Sequence, residues 1–138
     1  MKSLAIVSAL ALIAAAPQAA LAQADFLTAK KIACTPVQTL ECADGKCKAT
    51  PVSEKDKAEV LVVDFTTKKS AVRTAGVSKD FGEIGEDKVE GSVRTFQLGE
   101  SKDSMIKVTL DKAGKLTLFM GTEGKQELRA EATCVVEP

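Results

Sequence analysis

The sequence predicts an all-β domain: a small antiparallel meander β-barrel, or a two-sheet sandwich, of seven or eight short strands. Three observations predict it. Apolar and polar residues alternate through several segments, turn residues separate those segments, and no long stretch after the first residues has helical periodicity. We favour the barrel because a closed sheet has none of the exposed strand edges at which exported proteins aggregate.

The amino terminus has the features of a secretory signal peptide. Lys2 supplies a positive charge, an apolar run extends from Leu4 to Ala16, and Ala20-Leu21-Ala22 gives the small-x-small pattern that precedes a cleavage site. The apolar run is too short to span a bilayer as a mature helix. We therefore predict a signal peptide over residues 1–22, cleavage after Ala22, a single β domain over residues 23–138, and a periplasmic or secreted location.

All four cysteines lie in the predicted mature part, and an even number in a small exported domain indicates disulfides. We predict a Cys42–Cys47 bond because the Asp44-Gly45 pair between them favours a tight hairpin turn, which sets the two cysteines opposite each other. We predict a Cys34–Cys134 bond because both residues lie on apolar faces near the two ends of the mature chain. A zinc site of four thiolates is the weaker interpretation, since the spacing lacks paired Cys-x-x-Cys motifs.

Three strands are predicted in the first half of the mature chain. The first covers Lys30 to Thr39, where Pro36 indicates an edge or a β-bulge. A polar connection follows, in which Ser53 is placed to cap one helical turn. The nearly continuous β-branched run Glu59 to Phe65 predicts a central strand covered on both sides, and Ser70 to Thr74 its partner.

The run Ser78 to Gly91 contains three glycines, and its acidic residues alternate with apolar ones. We predict one short strand there, around Phe81 to Gly85. A calcium-binding loop is the alternative, but the Asp-x-Asp-x-Asp-Gly pattern is absent, which favours a solvated acidic loop. Ser92 to Leu98 is the next predicted strand, with Arg94, Phe96 and Leu98 on one face, and a five-residue turn then places Phe96 opposite Ile106.

The stretch Met105 to Val136 shows the alternation most strongly, in three successive segments. Their apolar faces consist of Ile106, Val108 and Leu110, then Leu116, Leu118 and Met120, then Leu128, Ala130, Ala132 and Cys134. The turn Asp111 to Lys115, with Gly114 in the left-handed conformation, predicts Leu110 opposite Leu116 and Val108 opposite Leu118. The same geometry over Gly121 to Lys125 predicts Leu118 opposite Leu128 and Leu116 opposite Ala130.

Composition argues against several classes of function. The chain contains no His, Trp or Tyr, which removes the usual general base and the commonest metal ligand. Its 19 basic and 19 acidic residues give no basic excess for nucleic acid or an anionic membrane. Ser104 and Lys107 match a Ser-x-x-Lys acylation motif, but that motif acts on a helix, whereas Ser104 precedes a predicted strand. We therefore expect no catalytic residues, no metal and no cofactor.

These observations predict a non-catalytic binding or interaction protein of the cell envelope, monomeric and without a membrane span. The sequence does not identify the partner. The main expectation is docking on another exported protein, for instance as an inhibitor. The alternatives are a lipocalin-like carrier of a small apolar ligand and a stable envelope component without a discrete site.

Overall fold

The structure, a computed structural model, describes residues 25–121 and 127–138. Within these residues the chain forms nine strands, one short α-helix and a 3₁₀ turn at Lys102–Ser104. In chain order the strands and the helix are β1 Lys31–Ala43, β2 Lys46–Pro51, α1 Glu54–Lys57, β3 Val60–Asp64, β4 Lys69–Thr74, β5 Val77–Glu90, β6 Val93–Gly99, β7 Ile106–Asp111, β8 Lys115–Met120 and β9 Glu127–Val136.

Eight of the strands form a closed antiparallel barrel. Their order around it is β1, β3, β4, β5, β6, β7, β8 and β9, and β9 pairs back with β1. Strand β2 lies outside this ring, because it pairs with Gln38–Ala43 of β1 whereas β3 pairs with Lys31–Cys34 on the same edge. The all-β prediction and the choice of a barrel are confirmed, and the sandwich alternative is wrong.

Strand β1 contains the irregularity that Pro36 predicted. Its pairing with β9 shifts between Pro36 and Gln38, so that one extra residue, Val37, lies in β1. A bulge of one residue reverses the alternation of faces. Cys34 therefore points into the barrel before the bulge, and Thr39 points inward after it.

Strand β5 is much longer than the predicted segment Phe81 to Gly85. It runs over Val77–Glu90, and its pairing shifts at two places, opposite Ser70/Ala71 of β4 and between Gly85 and Lys88. Gly82 and Gly85 lie beside these bulges, and Glu86 has a positive φ of 47°. The strand can therefore bend at both places and continue. Residues that indicated strand ends in the sequence are thus the points at which one long strand bends.

The hairpin of β7 and β8 has the predicted register, with Leu110 opposite Leu116 and Val108 opposite Leu118. The two neighbouring registers were predicted wrongly, each by two residues. Phe96 lies opposite Val108, not Ile106.

At the β8–β9 pairing, Leu118 lies opposite Ala130 and Leu116 opposite Ala132. The predicted partners Leu128 and Ala130 are each two residues away. Both wrong registers follow loops longer than the tight turn, and a shift of two residues keeps the same side chains pointing inward. Of the turn predicted at 121–125, only Gly121 lies within the described residues.

The core of the barrel consists of inward-facing apolar side chains. Its fully buried side chains are Phe96, Ile32, Leu98, Leu110, Leu116, Val63, Val108 and Cys34. Four further apolar side chains pack against this core and are only partly buried: Leu61, Phe65, Phe81 and Leu118.

The connection from β2 to β3 contains the single helical turn that Ser53 predicted. The Ser53 Oγ accepts a hydrogen bond from the backbone N–H of Asp56 at 3.2 Å, which caps α1. Within the described residues, no helix has the length and apolar character needed to cross a membrane.

Candidate functional site

The two ends of the barrel differ, and this difference defines the candidate site. The end that contains the β3–β4, β5–β6 and β7–β8 turns is covered by the segment Phe26–Lys30, and we call it the closed end. The end that contains the β4–β5 turn and the β6–β7 loop opens on a cavity, and we call it the open end.

Arg94 holds the closed end together from inside. Its guanidinium is buried and donates to both carboxylate oxygens of Asp87, from Nε at 2.8 Å and from Nη2 at 2.7 Å. Its Nη1 donates to the backbone oxygens of Phe26 at 3.3 Å and Ala29 at 2.8 Å. The guanidinium carbon also lies 3.5 Å from the centre of the Phe65 ring. A buried charge that is paired, hydrogen-bonded and stacked in this way is a structural group, and it fixes the segment that covers this end.

Phe26 covers the closed end by packing on Gly114, in the β7–β8 turn. Gly114 has a φ of +87°, and a Cβ there would lie 2.6 Å from the Phe26 ring. The turn is completed by Asp111, whose carboxylate accepts from the N–H groups of Ala113 and Lys115 at 2.9 Å each. Gly114 thus provides both the left-handed turn and the space for the ring.

The open end leads into a cavity of about 750 Å³. Its wall is formed by strands β4, β5 and β7, by the last residue of β6 and by the segments just before β3 and after β6. The lining residues are Glu59, Val72, Thr74, Val77, Lys79, Asp80, Phe81, Gly99, Glu100, Ser104 and Ile106. Phe81 lines the cavity and also packs against the core, so the cavity adjoins the interior of the barrel.

The strand register explains why these side chains meet there. Leu61, an inward-facing core residue, pairs with Val72, and Val72 pairs with Lys79 of β5. Residues opposite each other in an antiparallel pair share a face, so all three point into the barrel. Leu98 pairs with Ile106 in the same way on the other side of the cavity.

The cavity combines an apolar wall with a polar rim. Val72, Phe81 and Ile106 are half-buried, whereas the charged lining residues and the two hydroxyl residues are exposed. Such a lining suits binding of an apolar group with a polar end.

The Ser-x-x-Lys pattern is not assembled into a catalytic pair. Ser104 lines the cavity, with its Oγ 3.1 Å from the Oγ of Ser101. Lys107 lies on the outer face of β7, with its Nζ 5.8 Å from the centre of the Phe119 ring. Ser104 ends the 3₁₀ turn and Lys107 lies in β7, so the two residues do not share the face of one helix, as the motif requires.

Both predicted disulfides are present, and they join all four cysteines. Cys34 and Cys134 lie directly opposite each other in β1 and β9, with 4.0 Å between their Cα atoms. This bond is buried in the core at the junction where the last barrel strand closes on the first. Cys42 and Cys47 lie opposite each other next to the Asp44-Gly45 turn, also with 4.0 Å between Cα atoms.

The second disulfide braces the hairpin of β1 and β2, in which residues 38–42 of β1 pair with β9 in the barrel wall and β2 lies outside it. We call residues 38–51, the end of β1 and all of β2, the arm. Asp44 and Gly45 at its tip have φ values of 52° and 75°, as a tight hairpin turn requires. Every residue of β2 is exposed, and β2 pairs only with β1 among the described residues.

An ion-pair cluster crosses the outside of the barrel. Glu137 accepts a hydrogen bond from Arg73 at 2.5 Å and lies 3.7 Å from the Nζ of Lys31. The hydrogen bond from Arg73 lowers the pKa of the Glu137 carboxyl, and the charge of Lys31 adds to this. Strands β1 and β3 lie between β9 and β4, so the cluster spans their outer faces, where Ala33 and Val62 are buried.

A second outer carboxylate is held on the surface of β9. The Gln38 side-chain amide donates to Glu131 at 2.8 Å, and this hydrogen bond lowers the pKa of Glu131. The ammonium of Lys115, 3.2 Å away, acts in the same direction. Both groups stabilise the ionised carboxylate at the seam between β1 and β9.

Arg94 shares a face with Phe96 and Leu98, as the sequence predicts, but its partner is not predicted. Asp87 belongs to the acidic run for which the sequence favours a solvated loop, whereas the structure pairs it with Arg94. A charged residue at an inward position of an alternating strand was the available signal, because such a residue needs a partner of opposite charge. The cavity had no comparable signal, since its lining comes from segments far apart in the chain.

Comparison of this chain with protein-family models, with curated proteins and with solved structures found no match.

Proposed function

We propose that this chain is a non-catalytic binding protein that holds a small apolar ligand at the open end of its barrel. The observation that carries the proposal is the contrast between the two ends. Arg94 and Phe26 close one end, whereas the other opens on a cavity of about 750 Å³. Ligand sites in proteins typically have volumes of roughly 300–1,000 Å³.

Packing within the barrel supports this proposal over a filled interior. Phe96 is fully buried in the core, whereas Phe81 at the cavity and Leu61, the partner of the lining residue Val72, are incompletely covered. Apolar side chains left partly uncovered inside a barrel gain free energy when an apolar molecule displaces the water beside them. The proposed ligand would lie on Val72, Phe81 and Ile106.

The proposed place of action is the periplasm or the exterior. The predicted signal peptide supports export. Two disulfides are consistent with an oxidising compartment, because cytosolic thiols are normally kept reduced.

The test is binding of a neutral apolar dye, N-phenyl-1-naphthylamine, to the purified protein. The chain contains no Trp or Tyr, so the dye fluoresces against little protein background. We expect saturable binding and a monomer with one dye molecule in native mass spectrometry. Absence of saturable binding would overturn the proposal.

A pair of variants on one strand locates the binding. Ile106→Trp adds bulk to the cavity wall and should weaken dye binding at least tenfold. Thr109→Trp adds the same side chain to the outer face of β7, where Thr109 pairs with Thr95 and Thr117, and should leave binding unchanged. Equal loss in both variants would argue against a site in the cavity.

A second candidate function is docking on another exported protein through the arm. The supporting observation is that a disulfide braces a hairpin whose outer strand, β2, is exposed and lies outside the barrel. Bracing a surface hairpin lowers the conformational entropy lost when a partner binds it. A photo-crosslinking residue at Lys48 should then give a discrete crosslinked species in cells, and the same residue at Thr109 should not. Identical crosslinking patterns at the two positions would contradict this candidate.

A further inference from the structure

Strand β2 has an open outer edge in the described part of the chain. It pairs with β1 alone there, and all of its residues, Lys46–Pro51, are exposed. Each strand of the closed barrel, in contrast, has a partner on both sides. An edge strand leaves the backbone N–H and C=O groups of its free side without a partner in the sheet. The arm therefore presents an edge to which a further strand can be added.

The register of the arm shows which backbone groups face β1. Ala43 and Lys46 flank a two-residue turn and so form a hydrogen-bonded pair, after which hydrogen-bonded and non-hydrogen-bonded pairs alternate. The N–H of Val52 donates to the oxygen of Val37 at 3.1 Å, which continues this alternation just past the end of β2. The N–H groups of the even-numbered residues of β2 therefore point toward β1.

The odd-numbered residues of β2 have their backbone groups on the open side. Cys47 and Ala49 each offer one N–H and one C=O there, and Pro51, which has no N–H, offers a C=O alone. Groups that alternate in this way match the hydrogen bonds of an added antiparallel strand. The Cys42–Cys47 disulfide holds β2 against β1, so the edge is already extended before a partner binds.

Two lysines determine which strand would fit this edge. Lys46 and Lys48 lie on either side of Cys47, so their side chains share one face of the arm, and β2 has no acidic residue. Neither lysine takes part in the ion pairs found among the described residues. Glu41 of β1 lies opposite Lys48 on the same face. Both ammonium groups are therefore on the strand next to the open edge, and the carboxylate is on the strand behind it.

A second copy of this chain would fit the edge poorly. Two β2 strands centred on each other would pair Cys47 with Ala49 of the second copy through their open backbone groups. That register places Lys48 opposite Lys48 of the second copy. Like charges directly opposite each other destabilise a strand pair, whereas acidic side chains at the same positions would stabilise it.

We propose that β2 binds an extended acidic segment of another protein, which adds to the arm as an antiparallel strand. This inference rests on the second candidate function, docking through the arm, and does not depend on the cavity. The backbone of the segment would bond to Cys47, Ala49 and Pro51, and its carboxylates would lie opposite Lys46 and Lys48.

The experiment uses two synthetic peptides of six residues, the length of β2. One alternates threonine and glutamate, and the other has lysine in place of each glutamate. Each is titrated into the isotope-labelled protein at low salt and followed by nuclear magnetic resonance. We expect the glutamate peptide to bind about fivefold or more tightly than the lysine peptide. Equal affinities, or no binding of either peptide, would overturn the inference.

Hydrogen exchange of single amides locates the added strand. The glutamate peptide should slow exchange at Cys47 and Ala49, whose N–H groups face the open side. Exchange at Lys48 and Thr50 should change much less, because these N–H groups already face β1. Slowed exchange elsewhere without this alternation at β2 would contradict strand addition.

Methylation of the peptide backbone tests the same geometry from the other side. In the proposed pairing the glutamates lie opposite the lysines at non-hydrogen-bonded positions, and the threonine N–H groups bond to β2. Methylation of the threonine nitrogens should therefore abolish binding, whereas methylation of the glutamate nitrogens should reduce it far less. The reverse order, or equal effects, would show that the backbone of the peptide does not bond as proposed.

A matched pair of variants tests the role of the two lysines. Lys46→Gln/Lys48→Gln should reduce the preference for the glutamate peptide to about twofold or less. Lys55→Gln/Lys112→Gln removes two exposed lysines outside the arm and should keep the full preference. Equal loss in both variants would show that net charge and not the edge determines binding.

Crosslinking at Lys48 in cells separates this inference from the docking candidate. If a discrete crosslinked species forms but the peptides do not bind as described, a partner docks on the arm in another way and the acidic strand is wrong. If neither crosslinking nor peptide binding occurs, docking through the arm is wrong as well. A dimer of the protein alone with slowed exchange at Cys47 and Ala49 would identify a second copy as the occupant and overturn the inference.

Discussion

Asp87 accepts two hydrogen bonds from Arg94, one from Nε at 2.8 Å and one from Nη2 at 2.7 Å, at the closed end of the barrel. Arg94 is buried, whereas the Asp87 side chain is 34% exposed. The remaining partners of the guanidinium are the backbone oxygens of Phe26 and Ala29, in the segment that covers this end. The pair therefore links β5 and β6 to the amino-terminal segment and fixes which end of the barrel is open.

We expect Asp87→Asn to lower the free energy of unfolding by about 1–3 kcal/mol, because it leaves the buried guanidinium without a countercharge. The matched control is Glu90→Gln, on the same strand. It removes the pair with Lys88, whose side chain is 61% exposed, and should change stability by less than about 0.5 kcal/mol. Urea unfolding followed by circular dichroism measures both, and equal losses would contradict a structural role for the Asp87–Arg94 pair.

Gly114→Ala should destabilise the protein more than Gly76→Ala, although both glycines have a similar positive φ, +87° and +80°. Gly76 has open space around its Cβ position, so its substitution should cost only about 1 kcal/mol for the backbone conformation. At Gly114 the new methyl group would also meet the Phe26 ring, and we expect a loss of about 2–4 kcal/mol.

The double variant Phe26→Ala/Gly114→Ala tests the origin of that difference. If the clash with the ring is responsible, adding Gly114→Ala to a Phe26→Ala protein should cost about as little as Gly76→Ala does. A cost that is unchanged by removal of the ring would show that the backbone of the turn, and not the Phe26 contact, requires glycine.

Turn chemistry determined which parts of the fold were predictable. Asp44-Gly45 and the Asp111–Lys115 turn fix the loop length, and both hairpins have the predicted register. Phe96 and Leu118 were paired wrongly by two residues, because the loops beside them are longer and the alternating pattern is unchanged by an even shift.

The disulfides were predictable for a similar reason, and the candidate site was not. Cys34 and Cys134 lie on inward faces, so the pattern of each strand restricts their pairing. The cavity brings together residues from separate parts of the chain, such as Glu59, Phe81 and Ile106, and their proximity follows from the strand order around the ring. No local pattern of residues contains this order.

The two disulfides should differ in their contribution to stability. Cys34–Cys134 spans 100 residues and Cys42–Cys47 spans five. The chain-entropy model gives about 4.7 kcal/mol for the longer loop and about 2 kcal/mol for the shorter one. We therefore expect Cys34→Ala/Cys134→Ala to lower the midpoint of thermal unfolding much more than Cys42→Ala/Cys47→Ala. Equal losses would show that loop entropy and burial do not set the contribution of these bonds.

The Glu137 carboxylate should make stability depend on pH. The hydrogen bond from Arg73 lowers the pKa of Glu137 in the folded protein below its value in the unfolded chain. Its contribution is therefore fully present above the unfolded pKa and is lost as the pH falls through the folded pKa. We expect Glu137→Gln to destabilise the protein by about 0.5–1.5 kcal/mol at pH 7. The difference between the variant and the original should shrink as the pH falls below about 4.

Urea unfolding at a series of pH values measures this difference. Glu54→Gln is the control, because it removes a carboxylate that is 90% exposed and pairs only with Lys57 among the ion pairs of the described residues. Its effect should be less than about 0.5 kcal/mol at every pH. The difference in free energy of unfolding between Glu137→Gln and the original protein could instead stay constant down to about pH 3. In that case the ionised carboxylate does not provide the stabilisation, and the shape or packing of the side chain accounts for it.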